Sequence, residues 1–218
     1  SGAASTIIQA STCDPITTPG GCTPAADRVF YFGGNGTVTL NDVTIQNGNC
    51  SACAPSNEGG GIYTSTNLNI NNSIIKNNKT ALDGGGISIS QSSFALVRID
   101  NTTFENNTSG NSGGHISAKF LSAGGSLTVN NSTFSKGQAV NGGAIANFAG
   151  TNQTSRIFIS NSTFTNNSSS QNGGAVFTGA SNAGSNAQTL LINPTVAHNT
   201  AAGRRGGVTA THNHTAGP

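Results

Sequence analysis

The chain has no methionine and no tryptophan, only 2 tyrosines, and charged residues make up just 7% of its 218 positions. Each scarcity excludes something. Its 9 Lys and Arg residues form no cluster, since Lys76, Lys79, Arg98, Lys119, Lys136 and Arg156 are scattered, and the Arg204 and Arg205 pair is too small to make one. The electrostatic footprint of a nucleic-acid binder is therefore missing. With 7 carboxylates in all, there is little material for an acid–base or Ca²⁺ site. No apolar run approaches the roughly 20 residues of a membrane-spanning helix, and no signal peptide is recognisable. The lack of any Met, a start residue included, is the pattern expected of a mature or excised product. No stretch holds a helical period.

Asn, Ser, Thr and Gly fill the space, and they recur. Taking Asn161 as the origin, equivalent positions are Asp42, Asn72, Asn101, Asn131 and Asn193, about thirty residues apart. Two residues earlier stand Leu40, Ile70, Ile99, Val129, Ile159 and Leu191. Four earlier stand Val38, Leu68, Val97, Leu127, Ile157 and Thr189. Three later stand Ile45, Ile75, Phe104, Phe134, Phe164 and Val196. Only Thr189 is not apolar. A second block opens on glycines: Gly59-Gly-Gly-Ile62, Gly84-Gly-Gly-Ile87, Gly113-Gly-His-Ile116, Gly142-Gly-Ala-Ile145, Gly173-Gly-Ala-Val176 and the degenerate Arg205-Gly-Gly-Val208.

Apolar residues two apart, in short β-branched runs punctuated by Asn and Gly, predict strands with alternate side chains facing a core. A single repeat cannot bury its own inner face, so repeats stack at a strand spacing of about 4.8 Å. The fold class expected is all-β, a right-handed parallel β-helix of about six coils with three short strands per coil. The Asn at the origin is expected to point inward and bond its neighbours in an amide ladder. The paired glycines are expected at turns of positive φ with close approach between coils.

Residues 1–28 break the pattern and hold Cys13, Cys22 and three of the 6 prolines. They are expected to cap the first coil or to exchange into a second molecule, while 29–218 forms the solenoid with an incomplete last coil. Cys50 and Cys53 fall between the first two regular coils. Four cysteines in a polar chain favour disulfides and an oxidising compartment, with three pairings open. As a redox or half-metal motif, Cys50-Ser-Ala-Cys53 lacks a following helix and a second ligand pair. Because Gly207, Val208, Thr209 and Ala210 begin a coil that stops short, Ser5, Thr6, Ile7 and Ile8 of a second molecule are candidates to complete it. Such heterologous contact propagates head to tail.

The pairing of GGA[ILV] with FxxN resembles the repeat of chlamydial-type polymorphic outer membrane proteins. Gly142-Gly-Ala-Ile145 and Gly173-Gly-Ala-Val176 carry the first motif, Phe104-Glu-Asn-Asn107 and Phe164-Thr-Asn-Asn167 the second, over roughly residues 59 to 208. Gly61, Gly86 and His115 replace the Ala, and Gly137 stands where Asn is expected after Phe134. The resemblance implies a right-handed β-helix at a cell surface, with display and adhesion but no chemistry.

Sequons abound. Asn35, Asn71, Asn106, Asn130, Asn152, Asn166 and Asn213, displaced to loops or outward positions, are the glycosylation candidates. Asn101, Asn131 and Asn161, assigned to the inward ladder, are expected to stay bare. Two rival functions have residues in their favour. Glu58 and Asp83 precede consecutive glycine runs and could stack one coil apart as the carboxylate pair of a polysaccharide-cleaving enzyme, though the column continues as Ser112, Asn141 and Asn172. Thr44, Thr103, Thr133, Thr163 and Thr195 form an outward column that could order ice, but the neighbouring rank of Gln46, Lys76, Glu105, Ser135, Thr165 and Ala197 is irregular. Lys76 and Glu105 are expected to pair across coils. His198, His212 and His214 assemble no site. The reading is an extracellular or cell-surface structural glycoprotein that self-associates head to tail, with no catalysis, cofactor or metal, no nucleic-acid partner and no membrane span. A surface adhesin is the nearest alternative.

Overall fold

The computed structural model describes residues 6–20, 22–89, 95–120, 124–180, 184–203 and 205–211. Every regular element among them is a β-strand, and every strand pairing is parallel. The strands form four sheets that run the length of a β-solenoid of about six turns. Sheet A begins with Ile7–Gln9 and Thr44–Gln46 and ends with Thr195–Ala197. Sheet B runs from Phe30–Phe32 to Val208–Thr211, and sheet C from Thr37–Asn41 to Asn186–Ile192. Sheet D was not foreseen. It is built of short strands such as Asn49–Cys50 and Lys79–Thr80, too brief to show an alternating pattern.

Registers keep the repeat columns intact. Leu68, Val97, Leu127 and Ile157 are consecutive partners in sheet C, as are Ile70, Ile99, Val129 and Ile159. In sheet A the partners are Ile45, Ile75, Phe104, Phe134, Phe164 and Val196. Most of these side chains are completely buried, each contributing about 1.5–3 kcal/mol through burial. Phe104, Phe134 and Phe164 stack with ring centroids 4.7 and 4.8 Å apart. Thr189, the polar exception, bonds the hydroxyl of Thr178 at 2.7 Å and the amide of Asn147 at 3.0 Å, so the core there closes over a satisfied polar group.

Corners explain the Asn and Gly. Three left-handed residues turn each coil, and each comes from its own repeat column. Asp42, Asn72, Asn101, Asn131, Asn161 and Asn193 all have φ between 47° and 56°. Asn47, Asn77, Asn106, Lys136, Asn166 and His198 form the second corner, and Gly59, Gly84, Gly113, Gly142 and Gly173 the third. Asn and Gly are the residues that enter this region at least cost.

This corrects one expectation: Asn101, Asn131 and Asn161 are exposed corner residues, not an inward ladder. The buried amide ladder lies six residues later. Asn78, Asn107, Asn167 and Asn199 each donate to the carbonyl of the apolar column one coil earlier, on Ile45, Ile75, Phe134 and Phe164, at 2.8–3.2 Å. Their Oδ1 atoms receive the N–H of Gly48, Asn78, Gly137 and Asn167 at 2.8–3.0 Å.

Candidate functional site

The two ends of the stack differ from its middle. At one end Ile7–Gln9 pairs in parallel with Thr44–Gln46 of the same chain, Thr44 N–H donating to the Thr6 carbonyl at 2.8 Å. Thr6, Ile7 and Ile8 thus lie on the first coil of the same chain. At the other end Val208–Thr211 lies on Val176–Ala180, placing Gly207, Val208, Thr209 and Ala210 at the last row of sheet B. Core columns lose cover towards both ends: Val38, Leu40, Leu191 and Val208 are only partly buried and Val196 is exposed. Ser5, Asn213, His212 and His214 lie outside the described residues.

Disulfides join Cys13 to Cys22 and Cys50 to Cys53. The first closes the connection between Ile7–Gln9 and Phe30–Phe32. The second lies in the loop leading to the Glu58 corner, and the Arg28 guanidinium donates to the carbonyl of Ser56 in that loop at 2.6 Å.

The outer faces carry polar ladders. On sheet C the Asn71 amide donates to Asn41 at 2.8 Å, Asn130 donates to Asp100 at 2.8 Å, and Ser160 donates to Asn130 at 2.6 Å. Leu96, Phe158, Leu190 and Ile192 stand exposed on this sheet. On sheet A the Thr column has the expected register, with Ile74 within it and Thr44 buried at its start. Glu105 pairs with Lys136 at 2.9 Å and not with Lys76, because the corner at Lys136 swings its long side chain back over the previous coil. His198 is an exposed corner residue.

Among the sequon candidates, Asn35, Asn152 and Asn166 are exposed and Asn71, Asn106 and Asn130 half-buried. The amides of Asn71, Asn106 and Asn130 are engaged in side-chain bonds. The hydroxyls completing the Asn71 and Asn130 sequons, on Ser73 and Ser132, are buried and donate to the carbonyls of Asn71 and Asn130. Asn131 and Asn161, set aside on sequence, are instead exposed, and Thr133 and Thr163 of their sequons lie on the outer face.

One chemically dense cluster sits outside sheet B. Gly59 N–H donates to the Asp83 carbonyl and Gly84 N–H to that of Ser112, both at 2.9 Å, so Glu58, Asp83 and Ser112 stand on consecutive rows as their spacing suggested. The ammonium of Lys119 joins the first two, bonding Glu58 Oε1 at 2.9 Å and Asp83 Oδ2. Ser88 Oγ donates to Glu58 Oε2 at 3.0 Å, and Ser112 N–H donates to Asp83 Oδ1 at 2.8 Å. Burial works against the Lys119 charge, but the two carboxylates outweigh it and hold the ammonium above its ordinary pKa. Lys119 had no motif to announce it; only its place on the outward side of a strand two rows from Glu58 assigns it here.

A second buried ionisable group is His115. Desolvation depresses its pKa to about 3, so it is neutral. Its Nδ1 accepts from the Asn107 amide at 2.9 Å, and its Nε2–H donates to Asn167 Oδ1 at 3.1 Å. It spans the row in which Gly137 replaces the ladder Asn, where a Cβ would land on the Gly143 carbonyl oxygen and stand 2.6 Å from Nε2.

Residues 161–179 match the family model of the Chlamydia polymorphic membrane protein repeat. The matched stretch runs from the Asn161 corner through Phe164 and the ladder Asn167 to the glycine corner and into Val176–Ala180, most of one coil. That repeat and a parallel β-solenoid fit a polymorphic-membrane-protein type of β-helix. No curated protein and no solved structure matches the chain.

Proposed function

We propose that this chain is the solenoid portion of a surface-displayed or extracellular structural protein, acting through its length and outer faces without catalysis. The observation that carries this reading is the polymorphic membrane protein repeat at residues 161–179, set within a stack whose sheets continue unbroken on either side. The cluster at Glu58 and Asp83 supports it: both carboxylates are occupied by Lys119 and buried, where a polysaccharide-cleaving pair would face an open groove.

The partner we propose is a second copy, head to tail. Thr195–Ala197 and Ile7–Gln9 are the two edge strands of sheet A, and all its pairings are parallel, so one copy's first strand can add to another's last row in the same register. Partly exposed Val196 and Ile8 would then regain cover. Negative-stain electron microscopy of natively sourced material and of a truncation lacking residues 1–12 tests this. Filaments that disappear in the truncation are expected; monodisperse particles from both would sink the head-to-tail arrangement.

Glycans on the outside belong to the same proposal, at Asn35, Asn152 and Asn166 and at the corner residues Asn131 and Asn161, whose exposure supports them. Glycopeptide mapping after secretion from a glycosylating host is expected to find them there and not at Asn71 or Asn130. Occupancy confined to Asn71 and Asn130 would overturn the assignment. A surface adhesin is the second reading, favoured by exposed Leu96, Phe158, Leu190 and Ile192 among the Asn and Thr ladders of sheet C.

A further inference from the structure

Lys119 reaches backwards over two coils. Its own row presents Ser112 at the corner, yet its ammonium lies against Asp83 one coil earlier and Glu58 two coils earlier. An ordinary surface ion pair would lie open to water and exchange partners. This one does not, since Asp83 and Glu58 are almost fully buried and the Lys119 side chain is 13% exposed. Ser117, on the same outward side of the strand as Lys119 and partner of Ser88 in register, buries its hydroxyl there with no hydrogen-bond partner. Two carboxylates and one ammonium are thus gathered out of water, with Nζ already against an oxygen of each carboxylate.

We propose that this cluster forms an intramolecular amide cross-link between Lys119 Nζ and Asp83 Cγ, with Glu58 as the proton relay. Each atom has its role in the geometry. Asp83 Oδ1, held by the Ser112 N–H at 2.8 Å, is the oxygen that remains as the amide carbonyl. Asp83 Oδ2, in contact with Nζ, is the oxygen that leaves. Glu58 Oε1, 2.9 Å from Nζ, takes a proton from the ammonium, and its other oxygen is anchored by Ser88. Relayed through Glu58, that first proton reaches Asp83 Oδ2 and makes Cγ electrophilic; the neutral amine adds to Cγ, a second proton passes by the same route to Oδ2, and the bond from Cγ to Oδ2 breaks as Oδ2 departs as water. The amide keeps the third, and Glu58 ends ionised as it began. Ammonium plus carboxylate thus gives amide plus one water, with no oxidant or cofactor. Holding nucleophile and carboxyl together supplies the effective concentration that free side chains lack, and exclusion of water removes the competing hydrolysis. The product would bolt adjacent coils covalently.

Intact mass spectrometry of the reduced, denatured full chain tests the cross-link. The expected mass is lower than that of the sequence by one water, and proteolysis is expected to yield a branched peptide joining Asp83 to Lys119. Glu58→Gln, which keeps the size of the relay residue and removes its basicity, is expected to fold with the wild-type strand spectrum and to retain the full sequence mass. Lys119→Arg is expected to do the same. A wild-type mass equal to the sequence mass after prolonged incubation of the folded protein overturns the proposal. So does loss of water that persists in Lys119→Arg, which would identify a succinimide at Asp83-Gly84.

Discussion

Two substitutions in the repeat, His115 for a small residue and Gly137 for a ladder Asn, answer one another. The imidazole fills the row that the missing carboxamide would occupy and bonds the ladder on both sides, from Asn107 to Asn167. His115→Ala is expected to cost about 2–4 kcal/mol, from the cavity and from orphaned amide groups. Gly137→Asn alone should destabilise, its Cβ meeting both the ring and the Gly143 carbonyl oxygen, and combining it with His115→Ala should relieve only the first of these collisions. Denaturant unfolding of the three variants measures this. The pH response follows from the same burial. Between the ordinary value of 6.5 and about 3, the unfolded chain binds a proton at this histidine that the folded chain refuses. Acidification through that window therefore favours unfolding, by up to about 1.4 kcal/mol per pH unit from this one group. The double variant should lack that component of the pH–stability curve. Each of the two departures was visible in sequence, but their relation was not, because they lie 22 positions apart and on different sides of the coil.

At the scale of elements, the apolar columns at two and four residues before the origin and three after it were legible, since a solenoid gives every inward position its own column. Their strands and registers follow that reading. The direction of the origin Asn was not legible: an exposed left-handed corner and an inward ladder both demand Asn at a fixed period. The second motif held the answer, because its Asn recurs at 78, 107, 167 and 199 and a Gly takes its place at 48 and 137. Sheet D was hidden by its brevity and Lys119 by its isolation. The glycine corners serve two purposes. Gly142 turns the chain at φ 64°, while Gly143 admits the next coil, since a Cβ there would land on the carbonyl oxygen of Gly174. Gly143→Ala is expected to lower stability by about 1–3 kcal/mol through overpacking. Gly20→Ala, whose Cβ meets nothing within 4 Å, is the matched control, and thermal unfolding should leave it unchanged.

As a whole molecule, the solenoid is a one-dimensional stack in which each coil is held by its two neighbours. Protection against amide hydrogen exchange should be greatest in the coils of Phe104, Phe134 and Phe164 and decline towards both ends, where Val38, Leu40, Leu191 and Val208 are incompletely covered. Uniform protection along the chain would contradict this gradient.

In a stack of near-identical coils, a folding chain can dock one repeat too far along and still lay apolar column upon apolar column. Such a slipped form would differ little in buried surface from the native one. The His115 imidazole has room at the Gly137 row, and a slip of one coil would drive it into an Asn side chain. A histidine buried in the core thereby numbers the coils and tells the chain which of them comes next.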